Sequence, residues 1–204
     1  MEWRKRNRLT QRDAASLLGI SQPYLSLLES GARPLTVGLR ERMRVTVAQS
    51  QGAVAADRFR AQLSALGYSG FAHVAKSRRR PRADALLLEV LSQPDSDARV
   101  VEALPWLIAA YQHQLDFDWL IRQAKLRNLQ NRLGFLLQAA GVDTPDGLSA
   151  LRELERARLQ HEDTLCWDSM PAATREWMRA NRTPLAGNWN VLTRLEAEGV
   201  HDAA

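Results

Sequence analysis

Along most of this chain apolar residues recur at three- and four-residue steps, the period of helices that each bury one face. Strict alternation never runs long enough to predict a strand, so the expected fold class is all-α. A short hairpin near the C-terminus stays open as an alternative. Residues 1 to about 49 hold short helical patterns with sharp punctuation. Thr10 is placed to cap a helix, with Asp13 standing where a capping box usually has Glu or Gln. That helix is expected to reach Leu18, where Gly19 supplies a left-handed stop and Ile20 plugs the corner. Ser21 caps the next helix and Pro23 sits in its first turn, where a missing N–H costs nothing; Gly31 ends it. Ala15, Ile20, Leu25 and Leu28 are spaced to face one another across the turn, a corner that projects its second helix outward.

Residues 50–82 read as a connector, helical over Ala53–Leu66 and loop-like from Gly67. Beyond it, the pattern predicts helices over Asp84–Leu91, Asp97–Gln114, Asp116–Ala140, Asp146–His161, Ala172–Ala180 and Asn188–Glu198. Pro105 should kink or break the second of these at Leu104. Asp116–Ala140 is the clearest, with Leu120, Ala124, Leu126, Leu129, Leu133, Leu136, Leu137 and Ala140 in register and Gly141 as its stop. Its polar residues Lys125, Arg127, Asn128, Gln130, Asn131 and Arg132 read as a wet outer face, or as a groove for an acidic partner. The three regions, 1–49, 50–82 and 83–204, are the expected domain organisation, and no internal repeat is visible.

Composition adds a division of labour. The 204 residues suffice for two compact domains, and 45% hydrophobic with 25% charged residues is an ordinary globular balance. No stretch approaches a membrane span and no apolar signal core follows the arginine-rich start, so a soluble, cytoplasmic protein without a membrane partner is expected. Residues 1–82 carry 16 Lys+Arg against 5 Asp+Glu, a net +11, whereas residues 83–204 carry 12 against 18, a net −6. One end is suited to a polyanion and the other is not. The run Lys76–Arg82 is either an arm that adds phosphate contacts or a solvated linker.

Catalytic signatures are missing. His73, His113, His161 and His201 are scattered without metal-ligand spacing, and there is no phosphate loop or nucleophile elbow. Asp116 and Asp118 suit a helix start. Cys166, the single cysteine, excludes an internal disulfide and reads as a buried small hydrophobe. The expectation is a non-enzyme with no catalytic residue, metal or cofactor. Five of the six tryptophans lie after residue 83. Trp106 and Trp119 are expected in the core; Trp177 and Trp189, in shorter and more polar segments, are candidates for a partner surface, with core packing open as the alternative.

The stretch Leu9-Thr10-Gln11 through Gly19-Ile20-Ser21 to Glu29-Ser30-Gly31-Ala32-Arg33-Pro34 resembles the lambda-repressor and Cro type of helix-turn-helix, the XRE family. The resemblance covers about residues 1–49. It implies an N-terminal lambda-repressor-like domain followed by a larger C-terminal helical domain, and double-stranded DNA as partner. It also implies a homodimer on an inverted repeat, with a repressor's role. Carried over by position, the DNA-binding residues are Gln11, Arg12, Ser21, Gln22, Pro23, Tyr24, Ser26 and Arg33. Gln22 would read an adenine edge, and Tyr24 would meet phosphate or a thymine methyl group. Gln11 would touch phosphate and brace Gln22, while Arg33 and Arg12 or Arg4 would hold phosphate. Glu29 is read as structural, pairing with Arg4. Leu27 departs from the family's polar residue there, which suggests a hydrophobic or dimer contact. The first helix is short, with Trp3 at its core position; either the domain is trimmed or its start lies upstream of Met1. The stretches Ala103–Trp106, Asn131–Gly134 and Pro184–Asn190 are similar to C-terminal segments of XRE regulators encoded beside toxins, which implies a toxin protein as a further partner.

Overall fold

The computed structural model describes residues 3–6 and 9–195 and is mostly helical. The chain divides into two units, Met1–Val54 and Ala55–Ala204. The first holds α1 (Trp3–Arg6), α2 (Gln11–Leu18), α3 (Gln22–Glu29) and the start of α4 (Val37–Leu66).

Local chemistry sets each boundary in this unit. The Thr10 hydroxyl oxygen accepts from the Asp13 N–H at 3.1 Å, and its proton goes to Asp13 Oδ2 at 2.6 Å. Gly19, at φ 63°, ends α2 in the left-handed region, and the Ile20 N–H returns to the Ala15 carbonyl at 3.0 Å. Ser21 Oγ accepts from the Tyr24 N–H at 3.3 Å to start α3. Ala14, Ala15, Leu18, Leu25, Leu28, Leu39 and Met43 form the core, with Trp3, Ile20 and Tyr24 at its edge. Each leucine withdrawn from water in this way contributes roughly 1.5–3 kcal/mol.

The second unit is built on the end of α4, with Phe59, Leu63 and Leu66 inward, and on α5 (Ala83–Leu91). Pro105 divides the next stretch as expected, into α6 (Ala98–Glu102) and α7 (Leu104–Tyr111). The long helix expected over Asp116–Ala140 is instead two, α8 (Phe117–Leu126) and α9 (Gln130–Ala139). Asn128 adopts φ 57°, and the Leu129 N–H closes back on the Ala124 carbonyl at 2.8 Å. Asparagine tolerates that left-handed conformation better than most residues, so the helix ends there without a glycine.

The interruption changes which side chains turn inward. Leu126, expected in the core, is 77% exposed, while Gln130, Asn131 and Arg132, expected on the wet face, are buried. Arg132 spends all five N–H groups: on both oxygens of Asp163 (2.9 and 2.8 Å), on Asp168 (2.8 Å), and on the Leu91 and Gln93 carbonyls (3.1 and 3.2 Å). Burial works against its charge, and the Asp163 bond outweighs it, holding the guanidinium protonated. Asn131 pairs with both the carbonyl and the N–H of Leu159, at 3.0 and 2.9 Å.

After α10 (Pro145–Arg156) come β1 (Asp163–Thr164), α11 (Ala172–Ala180), α12 (Pro184–Asn188) and β2 (Val191–Leu192). The two short strands pair in parallel, Asp163 with Val191, so they are not a hairpin. The helix expected over Asn188–Glu198 is absent through residue 195, and its last residues lie outside those described. Asn190 at φ 51° prevents a helix from continuing out of α12. Trp189, open between core and partner surface, is fully buried over Gly134, where an added Cβ would lie 2.1 Å from the indole ring. Its N–H donates to Gln138 Oε1 at 2.7 Å. Trp106 and Trp119 pack against the core as expected. Cys166 is buried too, and burial pushes its thiol up to about 12. No helix among the described residues is long and apolar enough to cross a membrane.

Candidate nucleic-acid interface

The corner between α2 and α3 decides what α3 presents. Leu25 and Leu28 are buried against Ala14, Ala15 and Leu18, which leaves the opposite side of α3 outward. On that side Ser21, Gln22, Pro23 and Ser26 are exposed, with Gln22 and Ser26 one turn apart. Tyr24 is half-buried at the core edge, so its ring is braced. The helix is eight residues long, roughly 12 Å, a length that fits within a major groove. Leu27 is 43% exposed, an apolar side chain in an otherwise polar surround, and Leu17 of α2 is 51% exposed.

Glu29 ties three helices together. Arg4 of α1 reaches its Oε1 at 3.0 Å while also donating to the Leu9 carbonyl at 3.1 Å, and Gln11 of α2 donates to its Oε2 at 2.7 Å. The Arg4 bond, followed by the Gln11 bond, holds the Glu29 carboxyl below its ordinary value. The Arg4–Glu29 pair is therefore present, but the Gln11 amide braces Glu29 and not Gln22. Among the described residues, Gln11 stands at the first position of α2, half-exposed beside this hub.

Basic side chains flank the corner. Arg12 on α2 and Arg33, in the loop after α3, are both exposed; the Arg33 N–H is fixed on the Leu27 carbonyl at 3.1 Å. Lys5 and Arg40 are exposed as well, and sequence reasoning passed over both because neither belongs to the two-helix pattern. It also missed Arg42, whose guanidinium donates to the Leu18 carbonyl at 3.0 Å. That contact places a cation at the C-terminal end of α2, where the helix dipole favours it. The signal for it lies only in the three-dimensional approach of α4 to the α2 terminus.

Of the basic run Lys76–Arg82, Arg80 donates to the Tyr111 hydroxyl at 2.8 Å, and Arg82 pairs with Asp84 and lies over the Trp119 ring. Both belong to the packing of the second unit. Lys76, Arg78 and Arg79 remain exposed. Among the described residues no group of three or more His, Cys, Asp or Glu is placed to hold a metal ion.

Residues 1–39 match the Helix-turn-helix family HTH_3. No match was found among curated proteins or solved structures. The matched residues contain the whole corner, from Trp3 at the core edge to Arg33 in the exit loop. The N-terminal unit is thus a helix-turn-helix domain of the XRE type, and the chain that carries it is a DNA-binding transcription regulator.

Proposed function

We propose that this regulator is a repressor that binds an inverted-repeat operator as a homodimer. The observation that carries this reading is the outward face of α3, where Gln22 and Ser26 stand free beside a braced Tyr24. Gln22 reads an adenine edge with its amide, and Ser21, Pro23 and Ser26 line the groove around it. Tyr24 meets phosphate or a thymine methyl group. Arg33, Arg12 and Gln11 fix the register on the phosphates. Two such helices about 34 Å apart would read successive turns of one face of the duplex. The exposed Leu17 and Leu27 support a contact with the second copy. A gel shift on the operator tests the reading: Gln22→Ala with Arg33→Ala should abolish the specific band, and an unchanged band would refute it.

A second reading is favoured by Trp177, which is 62% exposed in the C-terminal unit. In it the chain is an antitoxin that covers a toxin through this unit and represses their shared operon through the other. Co-expression with the adjacent gene's product tests it. Growth rescued by the full chain but not by residues 1–82 is expected, and rescue by residues 1–82 alone would refute it.

A further inference from the structure

The chain that joins α4 to α5 carries a positive charge that the fold leaves unspent. Residues 55–82 hold seven Lys+Arg against one acidic residue, Asp57, a net +6, whereas residues 83–204 stand at −6. Four of the seven are committed within the unit. Arg58 pairs with Glu89 and Arg60 with Asp97, Arg80 donates to the Tyr111 hydroxyl, and Arg82 pairs with Asp84. The other three, Lys76, Arg78 and Arg79, are exposed, and no carboxylate pairs with any of them among the described residues.

The loop that presents these three is no free arm. Ahead of it, Phe71 is buried in the core. The Val74 carbonyl accepts from the Ser64 hydroxyl at 3.1 Å, and the Ser77 N–H donates to the Ala61 carbonyl at 3.0 Å, so both points are tied to α4. The Ser77 hydroxyl donates to the Arg79 carbonyl at 2.9 Å and folds the chain between the cations. After them, Arg80 rests on Tyr111, whose hydroxyl donates to the Leu66 carbonyl at 2.6 Å. Three charges thus ride on a pinned backbone, which leaves less ordering entropy to lose when they meet a partner. Lys76 and Arg79 are three residues apart, at most about 11 Å along the chain. Over that span one strand of duplex DNA presents about three phosphates, one per 3.4 Å of axis.

We propose that Lys76, Arg78 and Arg79 form a second phosphate-binding surface, carried by the C-terminal unit, that grips the backbone of the duplex bound by the helix-turn-helix. Its contacts go to phosphate and carry no sequence information; they add affinity and leave the reading of bases to α3. Duplex DNA is the partner because the chain itself supplies it. A second site on the same chain meets an already bound duplex at an effective concentration of up to the mM range, so a patch too weak to bind alone still tightens the complex. The proposal rests on DNA binding by the N-terminal unit, and on neither the dimer nor the antitoxin reading.

The probes are two fluorescein-labelled duplexes of about 40 base pairs, one of random sequence and one carrying a site that the full chain selects from a random pool. Each is titrated with the full chain and followed by anisotropy at KCl concentrations from about 50 to about 300 mM. Every phosphate contact steepens the plot of log affinity against log salt by about 0.9. Lys76→Gln with Arg78→Gln and Arg79→Gln should therefore flatten the slope by about 2–3 per protomer on both duplexes, and weaken binding at least about tenfold near 100 mM salt. Lys76→Arg with Arg78→Lys and Arg79→Lys keeps the charges and should keep the slope. Arg122→Gln with Arg152→Gln and Arg156→Gln removes the same charge from exposed positions elsewhere in the unit, and should move the slope by less than about 0.5. All these side chains are exposed, so every variant should melt with the wild type. An unchanged slope in the first variant, an equal loss in the third, or a loss confined to the selected duplex would each overturn the proposal. A flattened slope, with affinity indifferent to Gln22→Ala and Arg33→Ala, would leave this surface standing and remove the reading of α3. An unflattened slope, with affinity that collapses in that double variant, would do the reverse.

Discussion

The two units are held together by different kinds of contact. In the DNA-binding unit the deciding bonds are mostly short in sequence: Thr10 with Asp13, Ser21 with Tyr24, the Ile20 N–H with Ala15. The exceptions are Glu29, which sits where three helices must meet, and the Arg42 bond to the Leu18 carbonyl. In the C-terminal unit the deciding bonds join residues 28 to 51 positions apart and are largely withdrawn from water: Arg132 with Asp163, Asn131 with Leu159, Trp189 with Gln138. A unit built on caps loses stability in small steps. A unit built on buried polar bonds loses much of it at one place.

The sharpest way to break this comparison is Arg132→Leu, which strands the Asp163 carboxylate in the interior. Removing one partner of a buried pair costs about 3–5 kcal/mol. Native-state hydrogen exchange should show faster exchange across residues 55–195 with the α2 and α3 amides unaltered; uniform acceleration of both units would contradict the division. Leu25→Ala is the mirror test. It empties the small N-terminal core at a cost of about 2–5 kcal/mol, toward the low end if the corner collapses. Urea unfolding should report that loss in the N-terminal unit alone, along with lost operator binding.

Smaller effects separate function from folding. Gln22→Ala leaves every cap and core contact in place, so the melting temperature should stay constant. Operator affinity should fall by about 1–3 kcal/mol through loss of discrimination at one base pair. A uniform loss on all sequences would instead mark Gln22 as a phosphate contact. The smallest effect concerns acid. The Glu29 carboxyl is held below its ordinary 4.5, so its stabilisation is complete above that value and is lost as pH falls through it toward the lower folded-state value. Glu29→Gln should flatten the acid limb of N-terminal unfolding measured by α2 and α3 amide signals, leaving the limb due to Glu162 in the other unit.

The same contrast explains what could be read in advance. Capping residues, Gly19 and Pro23 act within a few positions of themselves, so the corner and its core were legible residue by residue, as was the exposure of Gln22, Pro23 and Ser26, whereas Tyr24, expected on the same exposed face, is half-buried at the core edge. The break at Pro105 was legible for the same reason. Asn128 was not: an asparagine within a good apolar period is compatible with a helix, and only the burial of Arg132 against Asp163 rewards stopping there. Once α8 and α9 separate, the apolar period no longer tells which face is wet, which is why Leu126 and Arg132 exchange places. Trp189 stayed open between core and surface because its slot is defined by what Gly134 lacks, 55 residues earlier. Gln11 was matched to the wrong partner because the choice between Gln22 and Glu29 depends on how α1 brings Arg4 to the hub.

Trp189 over Gly134 also sets an order of events during synthesis. A ribosome adds roughly 5–20 residues per second, and domains fold as they emerge. The core from Ala14 to Met43 is complete once α4 has begun, whereas the second core lacks its plug until Trp189 is polymerised. For roughly 7–30 s, on that rate, the nascent chain carries a finished reader of DNA ahead of an unclosed C-terminal unit. Whatever the second unit contributes to control arrives after the first has had time to search.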